Sequence, residues 1–123
     1  MNYYKTFKPN LIPTEFNEQK AFVEYLRLKG YKFTSIPNST YTTSWKQKMT
    51  NKNLGLNPGL PDLLICLPDK LLFIEMKRTK NGRVSEFQKE WIDALNKITN
   101  VEAFVCNGCD EAIRALEKIK ENH

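Results

Sequence analysis

Two acidic residues and a lysine lie beside two short apolar runs in the middle of the chain. Asp62 precedes the first run, and Glu75 and Lys77 end the second. Because Glu75 and Lys77 are two residues apart, both side chains project to the same face if the run is a β-strand. Two carboxylates and an ammonium group at one end of an apolar sheet are costly to bury, so they need compensating partners or a functional role.

The position of the turn between the two runs decides whether these charges meet. If the hairpin turn is centred between Pro68 and Asp69, Asp62 falls opposite Glu75. Directly opposed side chains have Cβ atoms about 4.5–5.5 Å apart. The carboxylates would repel each other, and a divalent cation between them is the simplest reason for the pairing. The alternative is an ordinary salt-bridge cluster in which Lys77 neutralises both acids.

The elements that position these residues follow from periodicity and capping signals. We predict helices over 15–29, 85–97 and from 110 onward, strands over 31–36, 62–67, 71–77 and 101–106, and an irregular polar segment over 38–60. Thr14, Ser85 and Asp110 are the predicted N-caps, and Gln88 has capping-box spacing from Ser85. The order α-β-β-β-α-β-α predicts an α/β fold with a mixed β-sheet flanked by helices.

The first helix carries two acids near its start. Its predicted inward stripe consists of Phe16, Gln19, Phe22, Val23 and Leu26. On a helical wheel Glu15 lies close to this stripe, whereas Glu18 lies toward its edge. Glu15 is therefore the better candidate to point inward as a further acid of the site. Otherwise it is a first-turn acid that favours the helix dipole.

The bulk properties are those of one ordinary globular domain spanning residues 1–123. The net charge is +5, which permits binding to nucleic acid through phosphates without establishing it. Three cysteines are too few for a disulfide framework. No apolar run is long enough to span a membrane, and the N-terminus lacks the apolar core of a signal peptide. We therefore expect a cytoplasmic protein without membrane association.

The ordered motifs resemble those of the virus-type replication-repair nuclease (VRR-NUC) branch of the PD-(D/E)XK nucleases. The matching features are Glu15-x-x-x-Gln19, Gly59-Leu60-Pro61-Asp62, Glu75-Met76-Lys77, Gly82, and Ser85-x-x-Gln88 followed by Trp91. The resemblance covers about residues 14 to 119. It implies a restriction-endonuclease-like fold.

The resemblance also implies roles for individual residues. Asp62, Glu75, the Met76 carbonyl and Glu15 would bind Mg²⁺ or Mn²⁺, whose preference is for hard oxygen ligands. Lys77 would orient or deprotonate the attacking water, or stabilise the transition state. Gln19 would either form hydrogen bonds within the site or be a buried polar residue satisfied by the backbone. Gln88 would contact the site or the phosphate, although capping Ser85 explains it nearly as well.

The resemblance implies DNA as the substrate, with 5′-phosphate and 3′-hydroxyl products. Lysines of the long polar segment and the basic residues after the Glu75 strand are candidates to contact phosphates: Lys46, Lys48, Lys52, Arg78, Lys80 and Arg83. Tyr41 and Trp45 could stack on exposed bases or wedge a junction, or simply pack on their own domain.

Branched DNA such as a flap or a four-way junction is the expected substrate, in replication, recombination or repair, and a homodimer would suit a symmetric junction. The alternatives are a catalytically silent DNA-binding module of the same fold, a restriction-type nuclease with sequence preference, and a basic interaction protein.

Overall fold

A four-stranded mixed sheet forms the centre of the molecule. The computed structural model describes residues 11–37 and 43–122. Its strands are β1 (Lys32–Ser35), β2 (Leu63–Leu67), β3 (Lys70–Lys77) and β4 (Val101–Asn107). They lie in the order β1-β2-β3-β4, with antiparallel pairing from β1 to β3 and parallel pairing of β3 with β4. The predicted mixed sheet flanked by helices is confirmed.

The register of the β2–β3 hairpin is the predicted one. Leu67 pairs with Lys70, and Leu63 pairs with Ile74. Continuing this register by one residue sets Asp62 opposite Glu75, at the end of the hairpin away from the turn. Since side chains alternate along a strand, β3 directs Glu75 and Lys77 to one face of the sheet and Met76 to the other.

Helices cover both faces of the sheet. The helices are α1 (Glu15–Lys29), α2 (Trp45–Asn53), α3 (Glu86–Asn96) and α4 (Cys109–Glu121). Phe22 and Leu26 of α1 pack with Leu116 of α4 in a core that includes Met76 of β3. Leu95 of α3 packs on Phe73 of β3, on the opposite face. Glu75 and Lys77 share the parity of Phe73, so they lie on the α3 face.

Two of the predicted helix starts agree with the structure, and one is wrong. Thr14 caps α1 by accepting from Asn17 N, and Ser85 and Gln88 form a reciprocal capping box at the start of α3. Asp110 does not cap α4. That helix begins one residue earlier, at Cys109, with Gly108 as its N-cap residue, so no side chain of the cap can serve its N–H groups.

The predicted inward stripe of α1 is partly wrong. Phe16 is 74% exposed, whereas Glu18 is 9% exposed and shares the buried face with Phe22 and Leu26. Apolar periodicity favoured Phe16, but an inward position near the start of the helix belongs to Glu18, whose carboxylate accepts a hydrogen bond from Cys109 N. The helical wheel therefore predicted the inward-facing residues correctly in the second half of the helix and wrongly in its first half.

The segment predicted to be irregular contains a helix. In α2, Ser44 caps the first turn by accepting from Gln47 N, and Gln47 donates from Nε2 to Asn51 Oδ1 one turn later. None of its residues is buried. Because α2 lacks an apolar stripe, hydrophobic periodicity gave no sign of it. Within the described ranges, no helix combines the length and the apolar composition that crossing a bilayer requires.

Candidate metal and catalytic site

Three carboxylates from three separate parts of the chain meet at one end of the sheet. Oxygen atoms of Glu15, Asp62 and Glu75 lie within 4.8 Å of one another. In residues 11–37 and 43–122 this is the sole group of three or more acidic, histidine or cysteine side chains that could hold a metal ion together. Like charges at this separation repel, so the arrangement calls for a compensating cation. The position of Glu15 distinguishes it from Glu18, which is not in the group.

The Asp62 carboxylate is fixed by the neighbouring strand. Its Oδ2 accepts a hydrogen bond from the backbone N–H of Met76, at 2.9 Å. The Met76 side chain is fully buried in the core on the other face of the sheet, so this N–H is held in place by packing. Asp62 is thereby oriented across the open end of the hairpin. The Met76 carbonyl as a metal ligand stays a prediction.

Glu75 is the most deeply buried acid of the three, with 1% exposure. Its Oε2 accepts from Gln88 Nε2 at 2.8 Å and lies 3.3 Å from Lys77 Nζ. Its Oε1 is also buried and has no hydrogen-bonding partner. Burial, reinforced by the charge of Asp62 and opposed by that of Lys77, raises the pKa of Glu75 to about 7. An ionised Glu75 is therefore incompletely compensated by the protein alone.

These features fit a divalent cation. The donor set consists of carboxylate oxygens, which Mg²⁺ and Mn²⁺ prefer, and it includes a buried oxygen without a partner. One lysine faces three acids, so Lys77 alone does not neutralise the cluster. An ordinary salt-bridge network would account for Glu75 Oε2 but not for Oε1.

Lys77 lies beside the acids and is only 8% exposed. Its backbone carbonyl accepts from Gly108 N at 2.8 Å, which ties the end of β3 to the end of β4. A Cβ atom on Gly82 would lie 3.0 Å from Lys77 Cβ, so the loop that follows β3 packs closely on this side chain. The ammonium group is thus held on a rigid backbone close to Glu75, as a group that positions water requires.

Gln88 connects the site to the start of α3. Its Oε1 accepts from Ser85 N at 2.9 Å while its Nε2 donates to Glu75 Oε2. The sequence left capping and site contact as alternatives, and one amide makes both contacts. The capping box therefore fixes the side chain that orients Glu75.

Gln19 is not brought to this site. It lines a separate surface groove with Phe16, Lys20, Val23 and Ser35. Its neighbour Glu18 has a structural contact instead, because Glu18 Oε1 accepts from Cys109 N at 3.0 Å and so caps α4. The sequence did offer a signal for this capping acid. Gly108 precedes the helix and has no side chain of its own to accept from the first-turn N–H groups.

The acids open into a polar pocket of about 380 Å³, called here the acid pocket. It is lined by Glu15, Ile36, Pro58, Gly59, Asp62, Glu75, Ser85, Phe87 and Gln88. The candidate phosphate-binding residues lie on two segments that are close in sequence to pocket-lining residues, α2 before Pro58 and the loop before Ser85. Lys46, Lys48 and Lys52 are exposed on α2, Lys80 and Arg83 are exposed after β3, and Arg78 is half-buried with an unpartnered Nε. Trp45 is 74% exposed, and Tyr41 lies outside the described residues.

The wall of the acid pocket depends on a glycine. Gly59 has φ +106°, and a Cβ atom there would lie 2.6 Å from both the carbonyl carbon and the carbonyl oxygen of Phe87. These are backbone atoms of the first turn of α3, so they cannot move aside cheaply. Glycine at this position lets the segment leading to Asp62 pack directly on α3.

We expect Gly59→Ala to destabilise the protein by about 3 kcal/mol or more, from steric overlap and an unfavourable φ together. Gly55→Ala is the matched control, because Gly55 also has a positive φ, +87°, but has open space around it. Its cost should be about 1 kcal/mol. Urea unfolding of both variants measures the difference, and equal costs would show that the contact with Phe87 is not tight.

Comparison with known proteins agrees with the geometry. The VRR-NUC domain family matches residues 14–110. A solved structure described as a VRR_NUC domain protein superimposes with a TM-score of 0.71 at 24% sequence identity, and the match covers 87% of this chain and 88% of that chain. No curated protein sequence matches. The family match spans both acidic strands, the first helix and the capping box of α3, and on this basis the chain belongs to the VRR-NUC domain family of nuclease-type folds.

Proposed function

We propose that this chain is a metal-dependent endonuclease that hydrolyses phosphodiester bonds in branched DNA. The observation that supports this best is the cluster of Glu15, Asp62 and Glu75, in which a buried carboxylate oxygen has no partner within the protein. A family of nuclease-type folds supplies the reaction class.

The residues divide the work of hydrolysis between them. Glu15, Asp62 and Glu75 would hold Mg²⁺ or Mn²⁺, which acidifies a water molecule and neutralises charge on the scissile phosphate. Lys77 would orient the attacking water and stabilise negative charge that develops in the transition state. Gln88 would hold Glu75 in the required orientation, since its amide is itself fixed by Ser85.

The distribution of charge favours DNA as the partner. Residues 25–61 contain six Lys and Arg and no Asp or Glu, whereas the remaining 13 Lys and Arg are matched by 14 acids. The whole positive excess of the chain therefore lies in one segment, which ends at the acid pocket. Three of these cations, Lys46, Lys48 and Lys52, are exposed on α2 beside the exposed Trp45. Such a surface can contact phosphates and stack on an accessible base.

Branched substrates and pairing of two copies on a symmetric junction are part of the proposal. The second candidate, a catalytically silent DNA-binding module, is disfavoured because Asp62, Glu75 and Lys77 lie together on one rigid hairpin with their side chains converging.

The test is cleavage of duplex, single-stranded, flap, splayed-arm and four-way-junction DNA in EDTA, Mg²⁺ and Mn²⁺. We expect cutting of branched DNA in either metal, no cutting in EDTA, and loss of cutting in Asp62→Ala and Lys77→Ala. Asp93→Ala and Lys89→Ala change an exposed acid and an exposed lysine on α3 and should retain full activity.

Each part of the proposal has a result that would contradict it. Undiminished cutting in EDTA would refute the metal requirement, and equal cutting of all DNAs would refute the selectivity. A folded protein that shifts DNA in a gel but never cuts it would be the silent module.

A further inference from the structure

A second groove, of about 330 Å³, adjoins the acid pocket and is not used by the reaction described above. We call it the aromatic groove. It is lined by Asn57, Pro58, Phe87, Glu90, Trp91 and Ala94. The four residues from α3 follow helical spacing, so they form one face of that helix. Trp91 donates from Nε1 to the carbonyl of Pro58 at 3.0 Å, which fixes the indole ring against the other wall.

The aromatic groove and the acid pocket are adjacent. Pro58 and Phe87 line both of them. Gly59 packs on the backbone of Phe87, so the shared wall is held in place on the side of Asp62. The Phe87 ring itself is 57% exposed and contributes to neither core cluster. A large aromatic side chain is thus displayed at the boundary between the acid pocket and the aromatic groove.

The chemistry of the two cavities is complementary to the two parts of a nucleotide. The acid pocket suits a phosphate because its carboxylates could hold a metal ion and Lys77 lies beside one of them, Glu75. The aromatic groove does not, because its one ionisable group is the Glu90 carboxylate, which repels phosphate. Its aromatic faces suit the π-face of a base, while Asn57 and Glu90 offer hydrogen-bonding groups to a base edge.

We propose that the aromatic groove binds an unpaired nucleobase next to the scissile phosphate, with the base stacked on Phe87. The inference rests on the proposed nuclease function and adds a substrate requirement to it. A base within a duplex reaches such a groove only by leaving the stack, which costs free energy, whereas a base at a flap or a splayed end is already free. The groove therefore selects DNA that is unpaired beside the cut.

A second copy of the chain fits the groove less well than a base does. A stable protein interface of standard size uses about 20–30 residues on each side. Six residues around a concave groove beside the acid pocket make a small site for a partner protein. They are enough for one base.

The experiment places 2-aminopurine at each position flanking the cut in flap DNA and follows its fluorescence on binding, with Ca²⁺ replacing Mg²⁺. We expect quenching at one position, caused by stacking. Phe87→Ala and Phe87→Leu should abolish this quenching and weaken binding and cleavage of the flap by about tenfold. Phe87→Trp should retain the quenching, the binding and the cleavage seen with the wild type. Leu28→Ala, which removes a side chain that is 83% exposed on α1, should change none of the three.

The outcomes separate this inference from the proposed function. If the protein cuts flap DNA but no position is quenched, or if Phe87→Leu behaves as wild type, the base site is refuted while the nuclease stands. Quenching that depends on Phe87 in a protein that never cuts would support the base site and refute the nuclease. A loss of self-association in Phe87→Ala, measured by sedimentation and without a change in quenching, would assign the groove to a second copy instead.

Discussion

Glu75→Gln is expected to reduce metal-dependent DNA cleavage by about a thousandfold, which corresponds to about 4 kcal/mol of transition-state stabilisation. The amide keeps the size of the side chain and an oxygen that can accept from Gln88. It removes the negative charge and one good metal-ligand oxygen from the centre of the cluster. Because Glu75 is the most buried of the three acids and has an unpartnered oxygen, its loss should weaken metal binding more than the loss of either other acid.

The same substitution should change how stability depends on pH when no metal is present. The pKa of Glu75 is raised to about 7 in the folded protein, from about 4.5. Below pH 4.5 the group is protonated in both states and costs nothing. Above pH 7 it is ionised in both, and the folded state bears the full cost of a buried charge. The wild type should therefore lose about 1–3 kcal/mol of stability, relative to Glu75→Gln, between pH 5 and pH 8 in EDTA.

Metal should reverse this trend, since it binds the ionised carboxylate and competes with the proton. In Mg²⁺ or Mn²⁺ the wild type should become more stable as the pH rises to 8, and Glu75→Gln should respond little. Urea unfolding at pH 5 and pH 8, with EDTA and with metal, measures the free energy of unfolding under all four conditions. Glu24→Gln, an exposed acid on α1, is the matched control and should follow the wild type. If metal leaves the stability of the wild type unchanged at both pH values, the ion site is refuted.

Much of the site was predictable because it lies on the hairpin. A tight turn at Pro68 and Asp69 leaves one register in which both strands bury their apolar residues, and this register places Asp62 across from Glu75. Alternation along β3 then fixes the side of the sheet on which Lys77 lies. These inferences need only the period of a strand and the position of one turn.

The contributions of the helices were harder to predict, for a physical reason. Apolar periodicity finds the inward face of a helix only when that face is apolar, and in the first two turns of α1 it is acidic. Glu18 is turned inward to accept from Cys109 N at the start of α4, 91 residues further along the chain. In α2 no face is buried, so local capping by Ser44 was the only signal. Contacts of this kind are set by tertiary structure.

The two first-turn acids of α1 should differ in their effects, with Glu18 contributing to stability and Glu15 to metal binding. Glu18→Ala should cost about 2–3 kcal/mol of stability, because Cys109 N loses a charged acceptor at a helix N-terminus in a buried setting. Glu15→Ala should leave stability in EDTA within about 0.5 kcal/mol of the wild type. It should weaken Mg²⁺ or Mn²⁺ binding by about 10- to 100-fold, since it removes one of the three acids that define the site.

Urea unfolding in EDTA and a metal titration monitored by the melting temperature measure both quantities on each variant. Glu18→Ala should retain the metal-dependent rise in melting temperature, although it starts from a lower value. The converse result, in which Glu15→Ala unfolds easily and Glu18→Ala loses metal, would mean that α1 is rotated from the orientation described here. Because Glu15 and Glu18 are three residues apart on one helix, no general loosening of α1 produces the expected pair of results. The expected pair of results requires distinct contacts of the two carboxylates, that of Glu15 with the ion and that of Glu18 with the start of α4.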